Sequence, residues 1–118
     1  MQDWMINDDN ITQSKIKKFW KNYGKDTISA FANLSRFLEL LNSNIKLQKL
    51  IHDLSYLRHE QGHVYRIGNK KNNNSHEIRI YICIEEKQKV IYLLEIGDKN
   101  QQQKDIKNAS DKADQILV

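Results

Sequence analysis

The sequence predicts a single α+β domain in which helices fill the first half, a β-meander follows, and one last helix ends the chain. Apolar residues recur every three or four positions up to about residue 54 and then alternate with polar residues as far as Gly97. The length of 118 residues suits one domain with one modest core. A composition of 39% hydrophobic and 29% charged residues is ordinary for a globular domain and argues against disorder.

Three helical segments are expected before the change of period. The first runs from Thr12 to Tyr23, and Gly24 can end it. Its apolar side chains lie on one face: Ile16, Phe19, Trp20 and Tyr23. The second can be capped by Asp26 or Thr27 and continues until Asn-Ser-Asn at 42–44, with a helical repeat of Phe31, Leu34, Leu38 and Leu41. A short third helix is expected over Leu47, Leu50, Ile51 and Leu54.

Three strands are expected in the second half. The segment 63–68 is short, β-branched and aromatic, and the polar NKKNNNS stretch after it has the composition of a loop. In HEIRIYICIEE, four isoleucines alternate with other residues, which predicts a half-buried strand. A turn then leads to an apolar strand at 90–97, so that these two strands form an antiparallel hairpin. The N-terminal DWMIN is too short to decide whether it adds an edge strand.

The last helix is expected from about Lys104 to Leu117. Its inner face carries small or aliphatic residues at helical spacing: Ile106, Ala109, Ala113 and Ile116. The order of elements therefore predicts N-terminal helices packed on a small antiparallel sheet, with a C-terminal helix added.

The net charge of +4 favours a polyanion as partner. Because this charge is spread over both halves of the chain, a nucleic-acid surface must be assembled by folding.

The composition also excludes several kinds of site and segment. The single cysteine, Cys83, excludes an intrachain disulfide and a thiolate metal site. No signal peptide or membrane span is visible, which predicts a cytoplasmic protein. The sequence contains no glycine-rich phosphate loop and no metal-ligand spacing, so no cofactor and no metal are expected.

The alternation in the middle strand points to a candidate site. If its isoleucines pack on the helices, Arg79 and Tyr81 project from the opposite, open face of the sheet, and Arg66 on the preceding strand can share that face. Two guanidinium groups and a phenol suit a phosphodiester, because arginine donates bidentate hydrogen bonds to phosphate and tyrosine can stack on a base. Solvated residues or cross-strand pairs on an exposed face would give the same pattern. Cys83 is expected to be a small filler.

The segment VIYLLEIGDKNQQQKDIKNA resembles the C-terminal signature of the RelE/ParE-superfamily toxins of type II toxin–antitoxin modules, in particular the addiction module killer or HigB-like group. In that family an apolar strand ends in Gly-Asp-Lys and passes through a glutamine-containing turn into a helix that begins Asp-Ile. The matching residues here are Gly97, Asp98, Lys99, Gln102, Asp105 and Ile106. The strands carrying Arg66, Arg79 and Tyr81 are similar to those that precede the signature.

The resemblance implies a RelE-like fold and a metal-independent mRNA endoribonuclease that inhibits translation, with the ribosome and a cognate antitoxin as partners. Arg66 and Arg79 would then hold the scissile phosphate, Tyr81 would stack on a base or assist proton transfer, and Lys99 would neutralise the developing charge. Further RNA contacts are expected from Lys70, Lys71 and His76.

Two other hypotheses remain open from the sequence. One is a non-catalytic protein of the same fold that acts by binding another protein, as a gyrase inhibitor or adaptor. The other is a basic RNA-binding module without turnover, whose affinity would depend on salt.

Overall fold

A computed structural model describes residues 2–118, which form four α-helices and five strands. The helices are α1 (Gln13–Asn22), α2 (Gly24–Asn42), α3 (Leu47–Asp53) and α4 (Gln102–Ile116); the strands are β1 (Met5–Asn7), β2 (Leu57–Gln61), β3 (Val64–Gly68), β4 (Ile78–Glu85) and β5 (Val90–Asp98). A 3₁₀ turn at Lys99–Gln101 joins β5 to α4. Within the described residues, no helix is both long and apolar enough to cross a membrane. The predicted α+β class is confirmed.

The sheet has the order β1-β5-β4-β3-β2. Strands β2 to β5 form the predicted antiparallel meander, whereas β1 pairs in parallel with β5, so the sheet is mixed. The N-terminal segment, which the sequence left undecided, thus adds a parallel edge strand beside β5 to the predicted meander. Strand β2 was not predicted from the sequence. It forms a hairpin with β3 around Gly62, and the φ of 54° at Gly62 lies in the left-handed region that glycine tolerates.

The sheet separates two apolar clusters. On one face, α2 packs on the sheet through Ala30, Leu34, Phe37 and Leu41. The isoleucines of β4 meet these residues, as the alternation predicted, and Ile78, Ile80 and Ile82 are fully buried there. On the other face, Ala109 and Ala113 of α4 pack on residues of three strands, namely Val64, Tyr81, Cys83 and Leu94. The domain therefore has three layers, with helices on both sides of the sheet.

The second helical layer corrects one expectation directly. The face that carries Arg79 and Tyr81 was expected to be open, but α4 covers part of it and contacts four strands, β2 to β5. A helix with a stripe of small residues can lie close to a sheet, and the two alanines of α4 provide this close approach.

Candidate functional site

Cross-strand register brings the two predicted arginines together. Arg66 on β3 lies opposite Tyr81 on β4, and Gly68 lies opposite Arg79. Because alternate residues of a strand share a face, both arginines and Tyr81 lie on the α4 side of the sheet, with the arginines in diagonal positions on neighbouring strands. Such positions have Cβ atoms roughly 7–8 Å apart, within reach of long side chains. The prediction that these three residues share one face is confirmed.

Tyr81 is not available to a ligand in this structure. It is 0% exposed because it packs in the cluster beneath α4, and burial raises the pKa of its hydroxyl although Arg79 acts in the opposite direction. The expectation that its ring stacks on a base from an open sheet face is therefore wrong. Cys83 lies in the same cluster, where burial raises the pKa of its thiol to about 12, so its expected role as a filler agrees with its surroundings.

The two arginines line a cleft of about 450 Å³ at the end of the sheet where β3 finishes and β4 begins. Five cationic side chains line it, namely Arg58, Arg66, Lys70, Lys71 and Arg79, together with one carboxylate, Glu77. The neutral part of the lining is made by Asn33, Ser55, Tyr56, Gly68 and Asn69. The volume lies within the roughly 300–1,000 Å³ of ligand pockets, and the excess of positive charge on the lining is of the kind that favours an anion.

Arg79 is the most buried cation of the cleft, at 6% exposure. Its Nη2 donates to Glu77 Oε1 at 3.0 Å, while its Nε and Nη1 have no hydrogen-bond partner among residues 2–118. Burial acts to lower the pKa of this guanidinium, but the hydrogen bond and charge of Glu77 outweigh it and the pKa is raised. Arg79 therefore remains charged, and its two unpartnered nitrogens are enclosed by the protein.

Glycines flank Arg79 on both neighbouring strands. Gly68 lies opposite it on β3 and Gly97 lies opposite it on β5. A Cβ on Gly97 would overlap the carboxylate of Asp105, which fills that space, whereas a Cβ on Gly68 would meet only the carbonyl oxygen of Ile78, at 3.8 Å. Gly68 lines the cleft beside Arg79, whereas the Gly97 side of Arg79 is closed by Asp105 of α4.

Arg66 is also only partly satisfied. Its Nε lies 2.9 Å from Glu60 Oε1, and its Nη1 is buried without a hydrogen-bond partner among the described residues. In the same cleft, burial acts to raise the pKa of Glu77, but Arg79 and then Lys71 lower it, so this carboxyl is ionised at neutral pH. Each arginine is thus held by one carboxylate and has at least one buried nitrogen without a hydrogen-bond partner among the described residues.

The remaining predicted residues separate into two groups. Lys70 and Lys71 line the cleft, as expected for RNA contacts. His76 does not line it: its ring stacks on Tyr23 with centroids 3.7 Å apart, and its Nε2 lies 3.1 Å from Asp98 Oδ2. Lys99 is exposed in the 3₁₀ turn after β5 and lies outside the cleft lining.

Arg58 and Tyr56 line the cleft but were not predicted as site residues from the sequence. Arg58 lies on β2 directly opposite Arg66, so it adds a third guanidinium to the same row of the sheet. The signal was present, because Gly62 separates two short runs that can pair as a hairpin. Tyr56 precedes β2, and its hydroxyl is buried without a partner among residues 2–118; burial raises its pKa, while Arg36 acts to lower it.

The Gly-Asp-Lys motif has a structural role at the start of α4. Asp98 accepts a hydrogen bond from the backbone N–H of Asn100, as expected of a cap. Asp105 is not a cap: it is buried and accepts a hydrogen bond at 3.0 Å from Lys15 Nζ, which also donates to Glu95 at 3.0 Å. Burial raises the pKa of Asp105, although Lys15 partly offsets this effect. The motif therefore positions α4 on the sheet.

No group of three or more side chains that can hold a metal ion occurs among the described residues. Comparisons of the chain with protein-family models, with curated proteins and with solved structures gave no match.

Proposed function

We propose that this protein is a metal-independent endoribonuclease with a RelE-like fold that cleaves mRNA as the toxin of a type II toxin–antitoxin system. The observation that carries the proposal is the convergence of Arg66 and Arg79, together with three further cations, on the lining of one cleft. Preorganised donors of this kind suit a phosphodiester whose negative charge grows during the reaction. The resemblance around Gly97 and Asp105 supports the choice of family.

In the proposed reaction, Arg66 and Arg79 hold the scissile phosphate and stabilise the charge on its non-bridging oxygens. The neighbouring 2′-hydroxyl attacks phosphorus, the bond from phosphorus to the 5′ oxygen breaks, and that oxygen takes a proton from water, so the products are a 2′,3′-cyclic phosphate and a 5′-hydroxyl end. Glu77, ionised and in the cleft, is the carboxylate best placed to accept the 2′-hydroxyl proton. Lys70 and Lys71 neutralise flanking phosphates.

The other partners of the proposed toxin are the ribosome, on which the mRNA is presented, and a cognate antitoxin protein. Because Tyr81 is buried and Lys99 lies outside the cleft, neither is assigned a catalytic role in this proposal.

One observation favours a second candidate function. Glu60 and Glu77 already pair with Arg66 and Arg79, which is what a purely structural cationic cluster would show. A non-catalytic protein of the same fold, acting on gyrase or as an adaptor, is therefore the alternative.

The decisive experiment is induced expression followed by primer-extension mapping of mRNA ends. The wild type is expected to stop growth and to produce new 5′ ends in mRNA, and Arg79→Ala is expected to lower cleavage at least about 100-fold, as for loss of one charge-stabilising donor. The matched control is Arg36→Ala, because this arginine is exposed and lies outside the cleft.

Thermal unfolding of the purified Arg79→Ala variant checks that the domain still folds. Full mRNA cleavage by folded Arg79→Ala would remove the assignment of this residue. Double-strand DNA breaks without new mRNA ends in the wild type would favour the alternative.

A further inference from the structure

The neutral side of the cleft adjoins its cationic side at a residue without a side chain. The backbone N–H of Gly68 donates to the Tyr56 carbonyl oxygen at 2.9 Å, and Asn33 Nδ2 donates to the Gly68 carbonyl oxygen at 2.8 Å. On its other side, Gly68 lies opposite Arg79. Gly68 therefore links the strand position opposite Arg79 to Tyr56 and Asn33, which bond its backbone.

We infer that the surface formed by Asn33, Ser55 and Tyr56 is a nucleobase subsite, which holds the base of the nucleotide whose phosphate binds Arg66 and Arg79. This inference rests on the proposed function and adds the residues that select the base. A cleft of about 450 Å³ is large enough for one nucleotide rather than for a phosphate alone.

The chemistry of the three residues fits a base. Tyr56 lines the cleft with part of an aromatic side chain, and its hydroxyl is buried without a partner among residues 2–118. The carboxamide of Asn33 is oriented by its bond to Gly68, so its oxygen is held as an acceptor, and the Ser55 hydroxyl can donate or accept. A stacking ring beside fixed hydrogen-bonding groups is the usual means of reading an unpaired base.

The test measures binding of uncleavable tetranucleotides by calorimetry. The probes are 2′-O-methyl RNA tetramers of each base and an abasic tetramer with the same phosphates. The wild type is expected to bind at least one base-bearing tetramer roughly five- to 150-fold more tightly than the abasic tetramer, as for the stacking of one base.

The variants separate the two sides of the cleft. Tyr56→Leu keeps an apolar side chain against the core but removes the ring, and it is expected to bind base-bearing and abasic tetramers equally. Tyr56→Phe is expected to keep the stacking contribution. Arg79→Gln is expected to weaken binding of both kinds of probe by similar factors, because both carry phosphates.

The outcomes distinguish this inference from the proposed function. Equal binding of base-bearing and abasic tetramers by the wild type, at an affinity that Arg79→Gln reduces, would overturn the base subsite and leave the phosphate site standing. An unchanged base preference in folded Tyr56→Leu would also overturn it. Binding of neither probe would overturn both.

Discussion

At the scale of single residues, the most informative position is Gly97. Its missing side chain makes room for the buried carboxylate of Asp105, which in turn receives a hydrogen bond from Lys15 on α1. One strand glycine thus permits an ionic contact between α1 and α4, the helices on opposite faces of the sheet. The Gly-Asp-Lys segment suggested a catalytic turn, whereas its geometry first explains how α4 is docked.

We expect Gly97→Ala to lower the free energy of unfolding by about 2–3 kcal/mol, because the added Cβ displaces a buried, hydrogen-bonded carboxylate. Urea unfolding measures the change. Gly68→Ala is the matched control, since it lies on the same sheet row and its Cβ meets only one atom at van der Waals distance. Equal stability of the two variants would show that Asp105 moves aside without cost.

The Lys15 contact has a pH signature. Lys15→Met leaves Glu95 and Asp105 without their cation. We expect the free energy of unfolding to fall by about 2 kcal/mol at pH 7. This value is below the roughly 3–5 kcal/mol for breaking a fully buried pair, because the Lys15 side chain is 30% exposed. Burial already raises the pKa of Asp105 above 3.8, so the folded state binds more protons than the unfolded state. Stability contributed by this group is therefore gained as pH falls through the folded pKa toward 3.8.

Without Lys15, the pKa of Asp105 rises further in the folded state, because Lys15 is the group that lowers it. The gain in stability at low pH is therefore larger in Lys15→Met than in the wild type. We therefore expect the difference in unfolding free energy between wild type and Lys15→Met to shrink from pH 8 to pH 5 in urea titrations. Lys18→Met, at an exposed position on α1, is the control. Parallel pH profiles for Lys15→Met and wild type would contradict this account.

At the scale of elements, α4 determines which part of the sheet a ligand can reach. It covers Tyr81 and Cys83 through Ala109 and Ala113, and it leaves the cleft at the start of β4 uncovered. The small residues of α4 set the distance between helix and sheet, so a larger side chain at this contact must move the helix.

Ala109→Leu is therefore expected to lower the free energy of unfolding by about 1–3 kcal/mol through overpacking. Ala32→Leu, at an exposed position of α2, is expected to change it by less than about 0.5 kcal/mol. Alkylation of Cys83 provides a second measurement, because a buried thiol with a pKa of about 12 reacts only when α4 opens. Faster alkylation of Ala32→Leu than of Ala109→Leu would be inconsistent with the assigned packing.

At the scale of the whole molecule, an even distribution of charge along the chain becomes a local concentration in space. Arg58, Arg66 and Arg79 come from three strands, and Lys70 and Lys71 come from the loop after β3. A net charge of only +4 can still provide a strong anion site when five cations line one cleft.

This concentration predicts a salt dependence for RNA binding. For three to five neutralised phosphates, the logarithm of the association constant should fall with the logarithm of salt concentration with a slope of roughly −2 to −3.5. The double variant Lys70→Ala/Lys71→Ala should reduce the magnitude of the slope by about 1.4, measured with a 2′-O-methyl RNA octamer. Lys17→Ala/Lys21→Ala removes the same charge from exposed positions of α1 and should leave the slope unchanged. Equal effects of the two double variants would place the RNA elsewhere.

The sequence by itself determined the α+β class, the order of the four helices and of strands β3, β4 and β5, and the shared face of Arg66, Arg79 and Tyr81. These features follow from periodicity, because a residue's position in a helical or alternating pattern fixes the direction of its side chain. Strand β2 was not predicted because only one of its five residues, Leu57, is apolar, so no alternating pattern accompanied the turn signal at Gly62.

Tertiary structure alone decided that α4 closes over Tyr81, that Lys99 and His76 lie outside the cleft, and that Arg58 and Tyr56 lie within it. Periodicity assigns a residue to a face but does not say what covers that face, because the cover comes from a distant part of the chain. Contacts between Gly97 and Asp105, and between the alanines of α4 and the sheet, determine that α4 is the element that covers the face carrying Tyr81.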